Sequence, residues 1–106
     1  MNPTQPAPPR PTADTVLAEV TGMLREVLAE YGDDDAVIGM STTFTRDLEL
    51  ESIDLVTLAG LLEERYGGRV NLAEFLAGME FDEIIELTVG RLVEYVVRSL
   101  RTGRAG

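Results

Sequence analysis

The sequence predicts an all-α domain, a bundle of three to four helices with an extra short helix around residues 72–79. The first observation is composition: aromatic residues make up only 6% and tryptophan is absent, whereas Leu, Ala and Glu, which favour helices, are abundant. The second is that apolar residues recur at steps of three and four along several segments, as on one buried helix face. The third is length, because 106 residues are sufficient for one small helical bundle.

Both ends of the chain are expected to lie outside this bundle. All five prolines fall within residues 1–11, which predicts a disordered, proline-rich tail over residues 1–12. Residues 102–106 are predicted to form a second flexible tail. The folded domain is therefore expected to span residues 13–101.

The first helix is predicted to begin at Thr12 or Asp14, either of which can cap it, and to end at Gly32. Its buried face would contain Leu17, Val20, Leu24, Val27, Leu28 and Tyr31. An ordered loop over residues 33–51, with room for a short helical turn, should follow. Its expected anchors on the bundle are Val37, Ile38, Met40, Phe44 and Leu48.

The second helix is predicted to run from about Ser52 to Tyr66, because Gly67 and Gly68 follow it and glycines commonly end helices. Its candidates for burial are Ile53, Val56, Leu58, Leu61, Leu62 and Tyr66.

Three cap signals follow in the C-terminal third of the chain. Asn71 can cap the extra short helix, Asp82 can cap a further turn, and Thr88 can cap the last helix. The extra helix has apolar residues at helical spacing, namely Leu72, Phe75, Leu76 and Met79. The last helix has the cleanest apolar stripe of the chain, formed by Val89, Leu92, Val93, Val96, Val97 and Leu100.

Charge and composition exclude several kinds of function. The formal net charge of −10 repels nucleic acids and anionic lipid surfaces and favours basic patches on partner proteins. Because the chain has no Cys and no His, we expect neither a metal site nor a catalytic nucleophile with its base. The sequence contains no signal peptide and no apolar run of membrane-spanning length, so we expect a cytoplasmic protein.

Ser52 is the main candidate for a functional residue. It lies at the predicted start of the second helix, where the helix dipole favours negative charge, including that of a phosphate ester. Six acids and no base occupy the stretch around it: Asp47, Glu49, Glu51, Asp54, Glu63 and Glu64. A simpler interpretation is that Ser52 caps the helix and that the acids form a solvated surface.

The stretch around Ser52 resembles the attachment motif of the acyl carrier protein family. Members of that family have a phenylalanine, then Asp-Leu, then typically Gly-Leu/Met/Ile-Asp-Ser-Leu-Asp. In this chain Phe44 is followed by Asp47-Leu48 and then by Glu49-Leu50-Glu51-Ser52-Ile53-Asp54. The resemblance covers about residues 14–100, in the order of elements predicted above.

By this resemblance, Ser52 would carry 4′-phosphopantetheine through a phosphodiester that a separate phosphopantetheinyl transferase makes from coenzyme A. The arm would hold acyl groups as thioesters and present them to acyl-processing enzymes such as a ketosynthase, an acyltransferase or a ligase. The chain would then be a monomeric, discrete carrier and not itself an enzyme. It would serve fatty-acid or polyketide biosynthesis.

The resemblance also implies roles for residues around Ser52. Basic residues of partner enzymes would contact Glu51, Asp54, Glu63 and Glu64. An acyl chain between the helices would be bordered by Leu58, Leu62, Phe75, Leu76 and Ile85. The chain departs from the family pattern at Glu49, which replaces the usual glycine, and a positive φ at that position would cost on the order of 1 kcal/mol.

Three alternatives stay open at this point. A peptidyl or aryl carrier of nonribosomal synthesis also presents a modified serine, although its recognition helix tends to be less acidic. A small acidic binding module would use Ser52 only as a helix cap and would have no prosthetic group. An enzyme would need a set of catalytic residues that the sequence does not contain.

Overall fold

The computed structural model describes residues 12–30, 32 and 37–102. Within these ranges the chain forms five α-helices, which are α1 (Ala13–Ala29), α2 (Ser52–Tyr66), α3 (Leu72–Ala77), α4 (Phe81–Ile85) and α5 (Val89–Thr102). One turn of 3-10 helix, Gly67–Arg69, follows α2. The described residues contain no strand, only an isolated bridge between Thr43 and Thr88. The prediction of an all-α bundle with an extra short helix is confirmed.

Parts of the chain for which predictions were made lie outside the described residues. These are the predicted tails, apart from Thr12 and Thr102, together with Tyr31 and residues 33–36 of the predicted loop. Within the described ranges, no helix is both long enough and apolar enough to cross a lipid bilayer.

The core lies where α1 packs against α5 and α2. Side chains from all three helices are buried there, including Val20, Leu24, Leu28, Leu58, Leu62, Leu92, Val93 and Val96. The predicted stripe of α5 is confirmed, because its first four members are buried and Val97 and Leu100 pack against the core. Burial of so many aliphatic side chains is the main source of stability in a bundle of this size.

Local capping signals explain where the helices begin. The caps predicted for α1, α3 and α5 accept backbone N–H bonds as expected, and they are Thr12, Asn71 and Thr88. The predicted cap of α4 is wrong. Its N-cap is Glu80, whose N–H donates to the Glu83 carboxylate at 2.9 Å, and Asp82 lies inside the first turn.

The loop between α1 and α2 is anchored by fewer side chains than predicted. Phe44 and Leu48 are buried, and Ile38 packs partly against the core. Val37 is 90% exposed, so the prediction that it anchors the loop is wrong. Met40 is also exposed, and it contributes its backbone carbonyl instead.

That carbonyl belongs to a set of hydrogen bonds that join the loop to the start of α5. The N–H of Val89 donates to the Thr42 carbonyl at 2.7 Å, and the N–H of Gly90 donates to the Met40 carbonyl at 2.8 Å. A Cβ atom at position 90 would lie 2.8 Å from the Met40 carbonyl oxygen. The loop can therefore approach this closely only because residue 90 is glycine.

The extra helix α3 is held on α5 by one tyrosine. The Tyr95 hydroxyl accepts the N–H of Asn71 at 3.0 Å and donates to the Asn71 carbonyl at 3.1 Å. Its ring stacks on Phe75 with a centroid distance of 4.4 Å. A single side chain thus fixes both the start and the middle of α3.

Candidate functional site

The loop that leads into α2 is shaped by two buried leucines on either side of one exposed glutamate. Leu48 and Leu50 are each 6% exposed, and the N–H of Leu50 donates to the Phe44 carbonyl at 3.0 Å. Between them Glu49 has a φ of 56°. That is the left-handed conformation, which glycine adopts with less strain than any other residue.

Ser52 is exposed and is the first residue of α2. The N-cap is Glu51, so the interpretation of Ser52 as the helix cap is wrong. Within the described part of the chain, the Ser52 hydroxyl makes no hydrogen bond. Its oxygen is therefore available to a reagent from solvent.

The first amides of α2 are also available. The N–H groups of Asp54 and Leu55 both donate to the Glu51 carbonyl, at 3.0 and 3.1 Å. Among the described residues, the amides of Ser52 and Ile53 have no backbone acceptor. Free amides at the positive end of a helix dipole are suited to an anionic group such as a phosphodiester.

Asp54 is buried, whereas a residue that contacts partner enzymes is expected to be exposed. Its side chain is only 6% exposed, and its Oδ2 atom accepts the N–H of Glu51 at 2.8 Å. The expectation that Asp54 belongs to an exposed acidic surface is therefore wrong. The other three acids of that expectation are exposed, and they are Glu51, Glu63 and Glu64.

Two apolar residues of α2 that were predicted to be buried face solvent instead. Ile53 is 67% exposed and Val56 is 69% exposed. Steps of three, four and seven along a helix bring residues to one face, so Val56 lies on the same side as Ser52 and Glu63. Gly60, which is exposed, lies on this side as well. The result is an exposed α2 face with apolar residues near Ser52 and acids farther along.

The five residues expected to border an acyl cleft have different surroundings in this structure, and the cleft itself stays a prediction. Leu58 and Leu62 are fully buried in the core, and Phe75 stacks on Tyr95. Neither Leu58 nor Leu62 lines the depression of about 200 Å³ between α2 and α3. The residues that line it include Ala59, Gly60, Glu63, Leu72 and Ala73. Ile85 instead lines a groove with Arg46, Glu86 and Arg91.

The far end of α2 is fixed to α1 by a polar cluster that sequence analysis did not identify. The Glu19 carboxylate accepts hydrogen bonds from the Arg65 guanidinium and from the Tyr66 hydroxyl. The Arg65 hydrogen bond holds the pKa of Glu19 below its usual value, although partial burial acts in the other direction. Burial and the bond to Glu19 raise the pKa of Tyr66. Because Glu19 and Arg65 are 46 positions apart in the sequence, no local pattern indicates the contact.

The fold and the site together define a small helical bundle that presents an exposed serine at a helix start. A family model described as a phosphopantetheine attachment site matches residues 18–96. The chain therefore belongs to this family of phosphopantetheine-binding carriers, in agreement with its resemblance to acyl carrier proteins. Its cofactor is 4′-phosphopantetheine, which the family holds covalently on a serine. No match was found among curated proteins, and none among solved structures.

Proposed function

We propose that Ser52 is the serine that carries the prosthetic group, and that the protein is an acyl carrier for fatty-acid or polyketide biosynthesis. The observation that supports this most strongly is the placement of Ser52, with an exposed hydroxyl free of hydrogen bonds within the described residues. It lies inside the residues that the family model matches.

The start of α2 fits the attached group. The Ser52 oxygen would bear the phosphodiester, and the amides of Ser52 and Ile53, which have no backbone acceptor in the described chain, would meet its negative charge. When bound, the group supplies a thiol on a long flexible arm, on which an acyl group can be held as a thioester. The chain has no cysteine of its own, so this thiol has to come from the cofactor.

Attachment removes the proton of the Ser52 hydroxyl. In the transfer from coenzyme A, a bond forms between the Ser52 Oγ atom and the phosphorus of the phosphopantetheine group. The pyrophosphate P–O bond breaks, and adenosine 3′,5′-bisphosphate leaves. The chain has no histidine, and we expect a base of the transferase to accept the hydroxyl proton.

The exposed α2 face is the surface that we propose for partner enzymes. Ile53 and Val56 offer apolar contact beside Ser52. The exposed carboxylates of Glu51, Glu63 and Glu64 would pair with arginine or lysine side chains of the transferase and of acyl-processing enzymes. Gly60 has no side chain and lets a partner approach the helix backbone.

Mass spectrometry after incubation with coenzyme A and a broad-specificity phosphopantetheinyl transferase tests the attachment site. The expected result is the added mass of one phosphopantetheine, which is lost in Ser52→Ala and retained in Ser41→Ala. Ser41 is a suitable control because it is an exposed loop serine. An unchanged wild-type mass would instead favour a binding module without a prosthetic group.

The loaded group identifies the pathway. Mass spectrometry of the protein isolated from its native cell is expected to show an acyl group built by fatty-acid or polyketide chemistry. An aminoacyl or aryl group would contradict that part of the proposal and indicate a carrier of nonribosomal synthesis.

A further inference from the structure

We infer that Asp54 is a positioning residue for the attachment reaction, which presents the Ser52 hydroxyl by fixing the first turn of α2 without itself contacting the transferase. This inference rests on the proposed role of Ser52. It concerns how the chain holds that residue in place.

The first argument is burial. Among the described residues, Asp54 is the one buried polar or charged side chain, with 6% of its surface exposed. Its acidic neighbours Glu49 and Glu51 are exposed. A carboxylate is costly to bury unless hydrogen bonds compensate for the lost water, so its partners inside the fold indicate what it does.

The second argument is the partner that it holds. The Asp54 Oδ2 atom accepts the N–H of Glu51 at 2.8 Å, and Glu51 is the N-cap of α2. The Glu51 carbonyl accepts the amides of Asp54 and Leu55. The backbone of Glu51 is therefore held from both sides, by a side chain at its N–H and by the helix at its carbonyl.

The third argument is the position of Ser52 between these bonds. Ser52 follows Glu51 directly, and its own hydroxyl has no hydrogen bond in the described structure. The position of the Ser52 Cβ atom, and with it the region that the hydroxyl can reach, is therefore set by the backbone that Asp54 fixes. Transfer to an oxygen requires that atom at a defined place relative to the bound coenzyme A, and a small misplacement lowers the rate strongly.

This role requires a hydrogen-bond acceptor, whereas a role in docking requires a negative charge. Asp54→Asn keeps an acceptor oxygen and removes the charge. Asp54→Ala removes both. Glu51→Gln is a matched control, because it removes the charge of an exposed acid on the other side of Ser52.

The experiment measures kcat, KM and salt dependence of phosphopantetheinyl transfer to the full chain. Asp54→Ala should lower kcat/KM by about tenfold, mostly through kcat. Asp54→Asn should stay within about threefold of wild type, and both Asp54 variants should keep the wild-type salt dependence. Glu51→Gln should raise KM and weaken the salt dependence.

Equal losses in Asp54→Asn and Asp54→Ala, with a raised KM and a weaker salt dependence, would show a charge contact and overturn the inference. If Asp54→Ala does not fold, the inference is tested by comparing the transfer kinetics of Asp54→Asn with those of Glu51→Gln. Hydrogen exchange at the Glu51 amide is then measured as well. Exchange in Asp54→Asn should stay close to the wild-type rate, and much faster exchange with transfer intact would overturn the inference. An unmodified wild-type chain would instead overturn the proposed function itself.

Discussion

Helices α2 and α5 differ in what they leave to the solvent. At the start of α5 the amides of Val89 and Gly90 bond to carbonyls of the loop, and its apolar stripe is buried against α1. At the start of α2 two amides have no backbone acceptor among the described residues, and Ile53 and Val56 face solvent. In α5 the first amides and the apolar side chains have partners inside the fold, so this helix mainly stabilises it. In α2 two amides and two apolar side chains have no such partners, so a cofactor and a partner protein can bind them.

The largest difference in stability is expected between two valines. Val93 in α5 is fully buried, whereas Val56 in α2 is 69% exposed. Val93→Ala should lower the free energy of unfolding by about 2.5 kcal/mol, because it removes buried methyl groups and leaves a cavity. Val56→Ala should change it by less than about 0.5 kcal/mol while slowing transfer by partner enzymes. Urea denaturation measures the first effect, and transferase kinetics measure the second.

A pair of glycines provides the next comparison. Gly90→Ala places a Cβ atom against the Met40 carbonyl, so the loop must move away from α5, and we expect a loss of about 2 kcal/mol. Gly60→Ala in α2 meets nothing within 4 Å and should stabilise the helix by about 0.5–1 kcal/mol. Thermal unfolding of both variants tests this. Equal changes in stability for the two variants would mean that the close contact between the loop and Gly90 does not stabilise the fold.

The polar cluster at the far end of α2 predicts a dependence on pH. The pKa of Glu19 is lower in the folded protein than its usual value, so the unfolded chain binds the proton more readily. Stability from this contact should be fully present above about pH 5 and should be lost as pH falls through the folded pKa. Glu19→Gln should remove this part of the pH dependence in denaturation measured between about pH 6 and 3. An unchanged profile would assign the acid sensitivity to other carboxylates.

A last effect on stability is expected from the turn before α2. Glu49 has a φ of 56°, and Glu49→Gly removes the strain of a side chain there. We expect a gain of about 1 kcal/mol in the free energy of unfolding. A loss measured in urea denaturation would show that the Glu49 side chain contributes contacts worth more than the strain.

Local patterns were sufficient for several helix bounds, although α1 ends at Ala29, before the predicted Gly32, and α4 begins after Glu80 and not after Asp82. The predicted range of the second helix, Ser52 to Tyr66, is the observed one, and Asn71 and Thr88 are caps as expected. These signals operate within a single turn, where the side chain and its backbone partner are close in sequence. The position of the extra helix could be predicted for the same reason.

The inner face of α2 could not be predicted in the same way. Its apolar residues occur on two sides, and periodicity alone does not tell which side meets the core. The buried face contains Leu58 and Leu62 together with a carboxylate, Asp54, which the pattern places outside because acids are usually exposed. The same periodicity therefore predicts burial of Ile53 and Val56, which are exposed.

The hydrogen bonds between loop and α5 have a consequence for biosynthesis of the protein. Phe44, Thr42 and Met40 obtain their partners from the stretch around Leu87 and Gly90, which the ribosome makes more than forty residues later. A nascent chain that ends at α2 thus contains Ser52 but lacks the segment that holds the loop before α2 in place. A modifying enzyme that requires this loop in its folded conformation would act only after α5 has been made and packed, so that attachment of the cofactor follows folding.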